Sequence, residues 1–246
     1  MSDHGTAALQ PPLEPIAAGT MRDCFVHPDD PALCIKVPRC VQGLKVCRRE
    51  ARYIARVARR YPSADVSRVP RYLGRVLTDQ GPGWVQQRVV NADGTPAPLL
   101  GDCLEAMRRH RPAWTAALAE FREWAMTQPL QLRDITPGNL CVRALDDGAL
   151  QFVPVDGFSP RSLLQRLLPT RRHAAACNRQ QLERFALTDV DGMIGAVERA
   201  GTAANERRDG QATGVPRAPR ITRLVIRTAR RAHSAGAFRI RSGAGG

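Results

Sequence analysis

The stretch Leu132-Arg133-Asp134-Ile135-Thr136-Pro137-Gly138-Asn139-Leu140 decides how this chain is read. It sets an aspartate and an asparagine in the spacing D-x-x-x-x-N. Before it, Trp114, Ala117, Leu118, Phe121, Trp124 and Ala125 recur at helical spacing; after it, Leu140-Cys141-Val142 and Leu150 to Val155 read as strands joined by Asp146-Asp147-Gly148. An aspartate on a loop between helix and hairpin can accept the proton of an attacking hydroxyl, and an asparagine oxygen five residues on can hold a divalent cation against phosphates. The same pair also suits a plain Pro-Gly turn.

Downstream, Val155-Asp156-Gly157-Phe158 places an acid directly after a buried strand, followed by a glycine that lets the chain turn. Asp-Gly pairs at strand ends are also ordinary turn formers. Upstream, Cys24-Phe25-Val26 and Leu33-Cys34-Ile35-Lys36-Val37 flank a turn rich in proline and acid, which predicts a β-hairpin ending in a lysine. The chain has two lysines, Lys36 and Lys45, against 35 arginines, so a lysine inside an apolar strand calls for a compact ammonium rather than one more positive charge. A strand-end lysine reaching solvent is the alternative.

Val46, Tyr53, Ile54, Val57 and Tyr61 predict a helix over 46–61, and Glu50 falls on its apolar face. An inward carboxylate needs a partner: Lys36 on the preceding strand, or a neighbouring arginine at the helix rim. A second hairpin, Tyr72 to Leu77 with Trp84 to Val90, is joined through Gln80-Gly81-Pro82-Gly83, and 91–98 reads as a linker. Leu99 to Met107 predicts a short helix. Further helices are expected over 163–168 and 182–197. The order Lys, Glu, Asp-x4-Asn, Asp, each on its expected element type, is more specific than any single match.

On these residues the chain resembles the protein-kinase-like superfamily and, more narrowly, the YrbL family of the PhoP regulatory network. The resemblance is carried by Gly19-Thr20, Cys24 to Asp30, Cys34-Ile35-Lys36-Val37, Arg49-Glu50, Val69 to Gly74, Pro137-Gly138-Asn139 and Val155-Asp156-Gly157, and it spans roughly residues 16 to 190. It implies an α+β, two-lobed fold: an antiparallel N-lobe sheet with one helix over 16–92, then a shortened, mainly helical C-lobe over 93–200. It further implies ATP and magnesium as cofactors and γ-phosphoryl transfer to a hydroxyl, on a small molecule or a protein, within a bacterial regulatory or stress-response network. Lys36 would contact the nucleotide phosphates, Glu50 would hold it and Asp134 would be the catalytic base. Asn139 and Asp156 would carry the metal, while Gly19 and Thr20 would lie at the phosphates and Arg88, Val89 and Val90 beside the adenine. Leu132 stands where kinases usually place histidine, Thr136 where many place lysine, and the glycine-rich loop is reduced to Gly19. These departures favour an alternative, a non-catalytic pseudokinase that binds a partner.

The 37 basic residues against 23 acidic ones give a net charge of +14, yet residues 201–246 alone hold ten arginines against Glu206 and Asp209. The basic character is therefore largely that of a tail, read as a solvated extension that also suits an anionic membrane or a nucleic-acid backbone. Residues 1–15 read as a disordered leader. Seven cysteines without a CxxC pair argue against a disulfide framework or zinc site, and no apolar run reaches the roughly 20 residues of a membrane span. The expected compartment is the cytoplasm.

Overall fold

In the computed structural model, which describes residues 12–160, 170–210 and 221–223, the expected N-terminal hairpins join in one antiparallel sheet. Its strands are β1 (Pro15–Ala18), β2 (Arg22–His27), β3 (Asp30–Pro38), β4 (Tyr72–Thr78) and β5 (Gly81–Gln87), ordered β1-β2-β3-β5-β4. The β2–β3 register sets Cys24 opposite Lys36 and Phe25 opposite Ile35. Strand alternation then puts Arg22, Cys24, Cys34 and Lys36 on one face and Phe25, Ile35 and Val37 on the other. The apolar face packs with Val76, Val85 and Leu13 into a small core.

Helix α1 (Val41–Arg60) buries Gly43, Cys47, Glu50, Tyr53 and Val57, the stripe that its periodicity requires. It starts five residues before the expected Val46. Gly43 explains the tight entry: a Cβ there would lie 2.2 Å from the Met21 carbonyl, so only glycine lets the helix meet the β1–β2 turn so closely.

The helical part follows, with α2 (Leu104–Arg109), α3 (Arg111–Thr127), the hairpin β6 (Leu140–Ala144) and β7 (Leu150–Pro154), α4 (Arg171–Arg184) and α5 (Val190–Gly210). Trp114, Phe121 and Phe152 meet at ring-centroid distances of 5.8–5.9 Å in its core, which also takes in Tyr53 and Val57 of α1. The α+β arrangement is that read from the sequence, an antiparallel sheet with one helix and then a mainly helical part.

Several boundaries differ. Leu13 is buried and Pro15 opens β1, so part of the expected leader is packed against the sheet. The 91–98 linker is a bonded turn, with Asn91 donating to the Thr95 carbonyl and Val90 bridged to Pro96. The single helix expected over 182–197 is two, broken where Ala186 takes φ 53° and Leu187 inserts fully into the core. Helix α5 continues through Gly201 to Gly210, beyond the expected end of the compact region. Ile221–Arg223, within the tail read as a solvated extension, forms strand β8 against β4. The helix expected over 163–168 lies outside the described residues. Among the described residues no helix is long and apolar enough to cross a membrane.

Candidate functional site

The Asp134 loop is held from behind by buried polar groups. Tyr53 Oη accepts from the Gln131 amide at 3.0 Å. Asn178, fully buried, accepts from the Leu132 amide at 2.8 Å and donates to the carbonyls of Ala125 and Leu130 at 2.6 and 2.8 Å. Loop groups that a buried backbone would leave orphaned are thereby satisfied. Asp134 itself is exposed, and Asn139 Nδ2 donates to both its carbonyl and its Oδ2 at 3.0 Å.

The Asp156 turn lies against this loop. Arg133 donates its amide to the Gly157 carbonyl at 2.8 Å, Leu132 bridges Phe158, and Val155 donates to the Asn139 carbonyl at 2.9 Å. Gly157 has φ 83°, and a Cβ there would lie 3.1 Å from Asp134 backbone atoms. Two requirements thus converge on glycine: a left-handed conformation and a close approach. Asp134 and Asn139 of one loop and Asp156 of the next turn come to one place.

The sheet adds its cations to the same place. Lys36 Nζ donates to the Val155 carbonyl at 2.6 Å, one residue before Asp156. Glu50, 2% exposed, faces inward as its helical position requires, but the expected Lys36–Glu50 ion pair does not form among the described residues. Arg22 takes that partner. Its guanidinium donates from Nη1 to Glu50 Oε2 at 2.9 Å and from Nε to Asp156 Oδ2 at 2.9 Å, with Nη2 on Asp156 Oδ1. A planar fork can serve two carboxylates at once, where an ammonium is a single point charge. Glu50 also accepts from Tyr72 Oη and from the Phe158 amide, each at 3.0 Å.

Burial alone would raise the Glu50 pKa, but Arg22 and Lys36 outweigh it and hold the carboxyl below its usual range. Burial likewise opposes the Arg22 charge, and Glu50 more than restores it. The Tyr72 hydroxyl is pushed well above its ordinary value by burial and by Glu50.

The other predicted binding residues lie on two further segments. Gly19 and Thr20 are exposed in the β1–β2 turn just before Arg22, where the Gly19 amide donates to the Arg22 carbonyl at 3.0 Å. Arg88 continues from β5 with its amide on the Ala32 carbonyl, Val89 packs with Cys141 and Val153, and Val90 leads into the 91–96 turn. Asp23 accepts from Arg39 Nε at 2.7 Å. Cys24 and Cys34 are diagonal neighbours on the Lys36 face. A hydrogen bond from Cys34 lowers the Cys24 thiol to about 7 against the effect of burial, and raises Cys34.

The donors that could hold a divalent cation are the Asp156 carboxylate and the Asn139 side-chain oxygen. Both are hard oxygen ligands of the kind magnesium takes when substrate phosphates complete its shell. Among the described residues no group of three or more His, Cys, Asp or Glu could hold a metal ion. Their chemistry fits a cation brought in with phosphates, although here Asp156 is engaged by Arg22.

Arg22, Tyr72 and Asn178 were not singled out from the sequence. Arg22 had one legible signal, its position two residues before Cys24 on the strand paired with Lys36.

Residues 12–187 match the family described as PhoP regulatory network protein YrbL, and the chain belongs to that family. It is 29% identical over 154 residues to uncharacterized protein YrbL of Escherichia coli (strain K12), covering 61% of this chain and 72% of that protein. The YrbL protein of Shigella flexneri matches to the same extent. Among solved structures it is similar to a crystal structure of a kinase domain, with a TM-score of 0.40 at 12% identity, over 63% of this chain and 50% of that one. The chain thus spans half the length of that structure.

Proposed function

We propose that this protein is a cytoplasmic, kinase-like ATP-binding protein that transfers the γ-phosphoryl group to a hydroxyl acceptor, a small molecule or a protein, in a bacterial regulatory or stress-response network. Residues 16–92 would act as its N-lobe, 93–200 as its shortened C-lobe and 201–246 as a basic tail able to meet an anionic membrane or nucleic acid. The observation that carries the reading is the bond from Lys36 to the Val155 carbonyl, which ties a strand lysine to the turn bearing Asp156 beside Asp134 and Asn139.

In this reading Asp134 takes the proton of the acceptor hydroxyl. Its exposure leaves room for that hydroxyl, and the Asn139 amide fixes its carboxylate. Lys36 supplies a point charge to the phosphates, Glu50 anchors the cations of the sheet, and Arg88 to Val90 border the adenine. Asp156 and Asn139 would hold magnesium, which when bound supplies neutralisation of phosphate charge.

The test is Asp134→Asn, followed by transfer of labelled γ-phosphate to the protein itself, to water or to candidate acceptors. The expected result is an intact fold and nucleotide binding with turnover lost by about 100-fold or more, the lower end of general-base contributions. Unchanged turnover would dismiss the base. A second reading, a non-catalytic pseudokinase that regulates a partner, is favoured by the Arg22 guanidinium on Asp156. It predicts no transfer by the wild type and a stable partner complex indifferent to Lys36→Ala.

A further inference from the structure

We propose that Arg22 is a built-in cation lock on Asp156: in the free protein its guanidinium fills the place a metal ion must take, so loading with magnesium nucleotide requires Arg22 to leave. The inference rests on the nucleotide-binding reading above and adds a control to it.

Every nitrogen of the guanidinium is engaged. Nε and Nη2 grip the two oxygens of Asp156, and Nη1 reaches Glu50 Oε2 and, at 3.4 Å, Cys47 Sγ. A fork on a carboxylate is the strongest common ion-pair geometry. Arg22 is 8% exposed, so solvent screens its side of the pair little, while Asp156 stays open enough for a cation to reach it. A divalent cation and this guanidinium compete for the same two oxygens.

Three features distinguish a releasable lock from a fixed brace. Arg22 directly follows Gly19, Thr20 and Met21, which are all exposed, so the segment that carries it is at the surface. Glu50 keeps Tyr72 Oη and the Phe158 amide when Arg22 departs. Lys36 is already close enough to help hold the Glu50 carboxyl ionised and can replace the lost charge. Departure therefore strands no carboxylate. Glu50 retains donors and a nearby cation, and Asp156 gains the incoming metal.

The test combines calorimetric titration of magnesium-ATP into wild type and Arg22→Gln with the arginine Nε–H signal of Arg22 in wild-type protein. The expected result is binding at least tenfold tighter in Arg22→Gln. The Arg22 Nε–H signal should exchange slowly in the free protein and lose that protection on saturation. Equal or weaker binding by a folded Arg22→Gln protein overturns the lock while leaving nucleotide binding in place. An unmoved Arg22 signal at saturation does the same, and it decides the matter in wild-type protein if the variant fails to fold. Binding by Arg22→Gln where wild type shows none supports the lock in its tightest form. Absence of binding in both overturns the lock together with the nucleotide reading.

Discussion

Two carboxylates lie side by side in this molecule under opposite conditions. Asp134 is exposed and its carboxylate is held by an uncharged amide, whereas Asp156, with a side chain 27% exposed, is gripped by a guanidinium that also binds a buried glutamate. In sequence both are acids in turns that contain glycine. A proton acceptor must be reachable and free of a competing cation, while a carboxylate that binds cations is stabilised in its charged form by a positive charge beside it. The difference teaches that what faces each carboxylate separates the roles proposed for the two, and that here the second is engaged by the protein's own arginine.

The comparison is broken most forcefully at Glu50. Glu50→Ala leaves Arg22 buried with one carboxylate, and removing one partner of a buried ion pair typically costs about 3–5 kcal/mol. Denaturant unfolding checks this, and a loss below about 1 kcal/mol would mean that the pair contributes little. The same carboxylate sets a pH dependence. Its folded pKa lies below the unfolded value, so the stability it lends is complete above the ordinary carboxylate range and is lost as pH falls through the depressed folded value. Acid titration of the midpoint should show Glu50→Gln losing stability less steeply below that range than wild type.

On the Asp134 side, Asn178→Ala orphans one amide and two carbonyls and is expected to cost about 2–4 kcal/mol. The loop should also become prone to amide exchange from Leu132 to Asp134, and unchanged protection there would separate Asn178 from the loop. Gly157→Ala, which forces a side chain into φ 83° and against Asp134, is expected to cost about 1–3 kcal/mol, checked by thermal unfolding. Smallest is the chemical readout at Cys24. Its alkylation rate should rise through a midpoint of about 7 without a stability change, and a midpoint near 9 would remove the Cys34 hydrogen bond from the picture.

Much of the site was legible because periodicity fixes direction. Helical spacing turned Glu50 inward, and the helix-loop-hairpin order placed Asp134 and Asn139 before a strand whose partner ends at Pro154, just ahead of Asp156. Partner choice was not legible: whether Glu50 takes Lys36 or Arg22 depends on hairpin register and on the Gly43 contact that draws the β1–β2 turn onto α1. A guanidinium that serves two carboxylates across 134 residues has no local signature. The same limit explains β8, whose pairing with β4 brings part of the tail onto the sheet. It also explains the break between α4 and α5, which no proline marks. There Gly192 permits an approach to the Ala186 carbonyl that a Cβ, at 2.3 Å, would forbid.

The most direct measurement is a calorimetric titration of ATP into the wild-type protein with and without magnesium, beside Asp156→Ala and Arg22→Gln. The expected result is saturable binding that needs both magnesium and Asp156 and tightens in Arg22→Gln. No saturable binding by wild type and Arg22→Gln alike, or binding indifferent to Asp156, would contradict a nucleotide site at this turn.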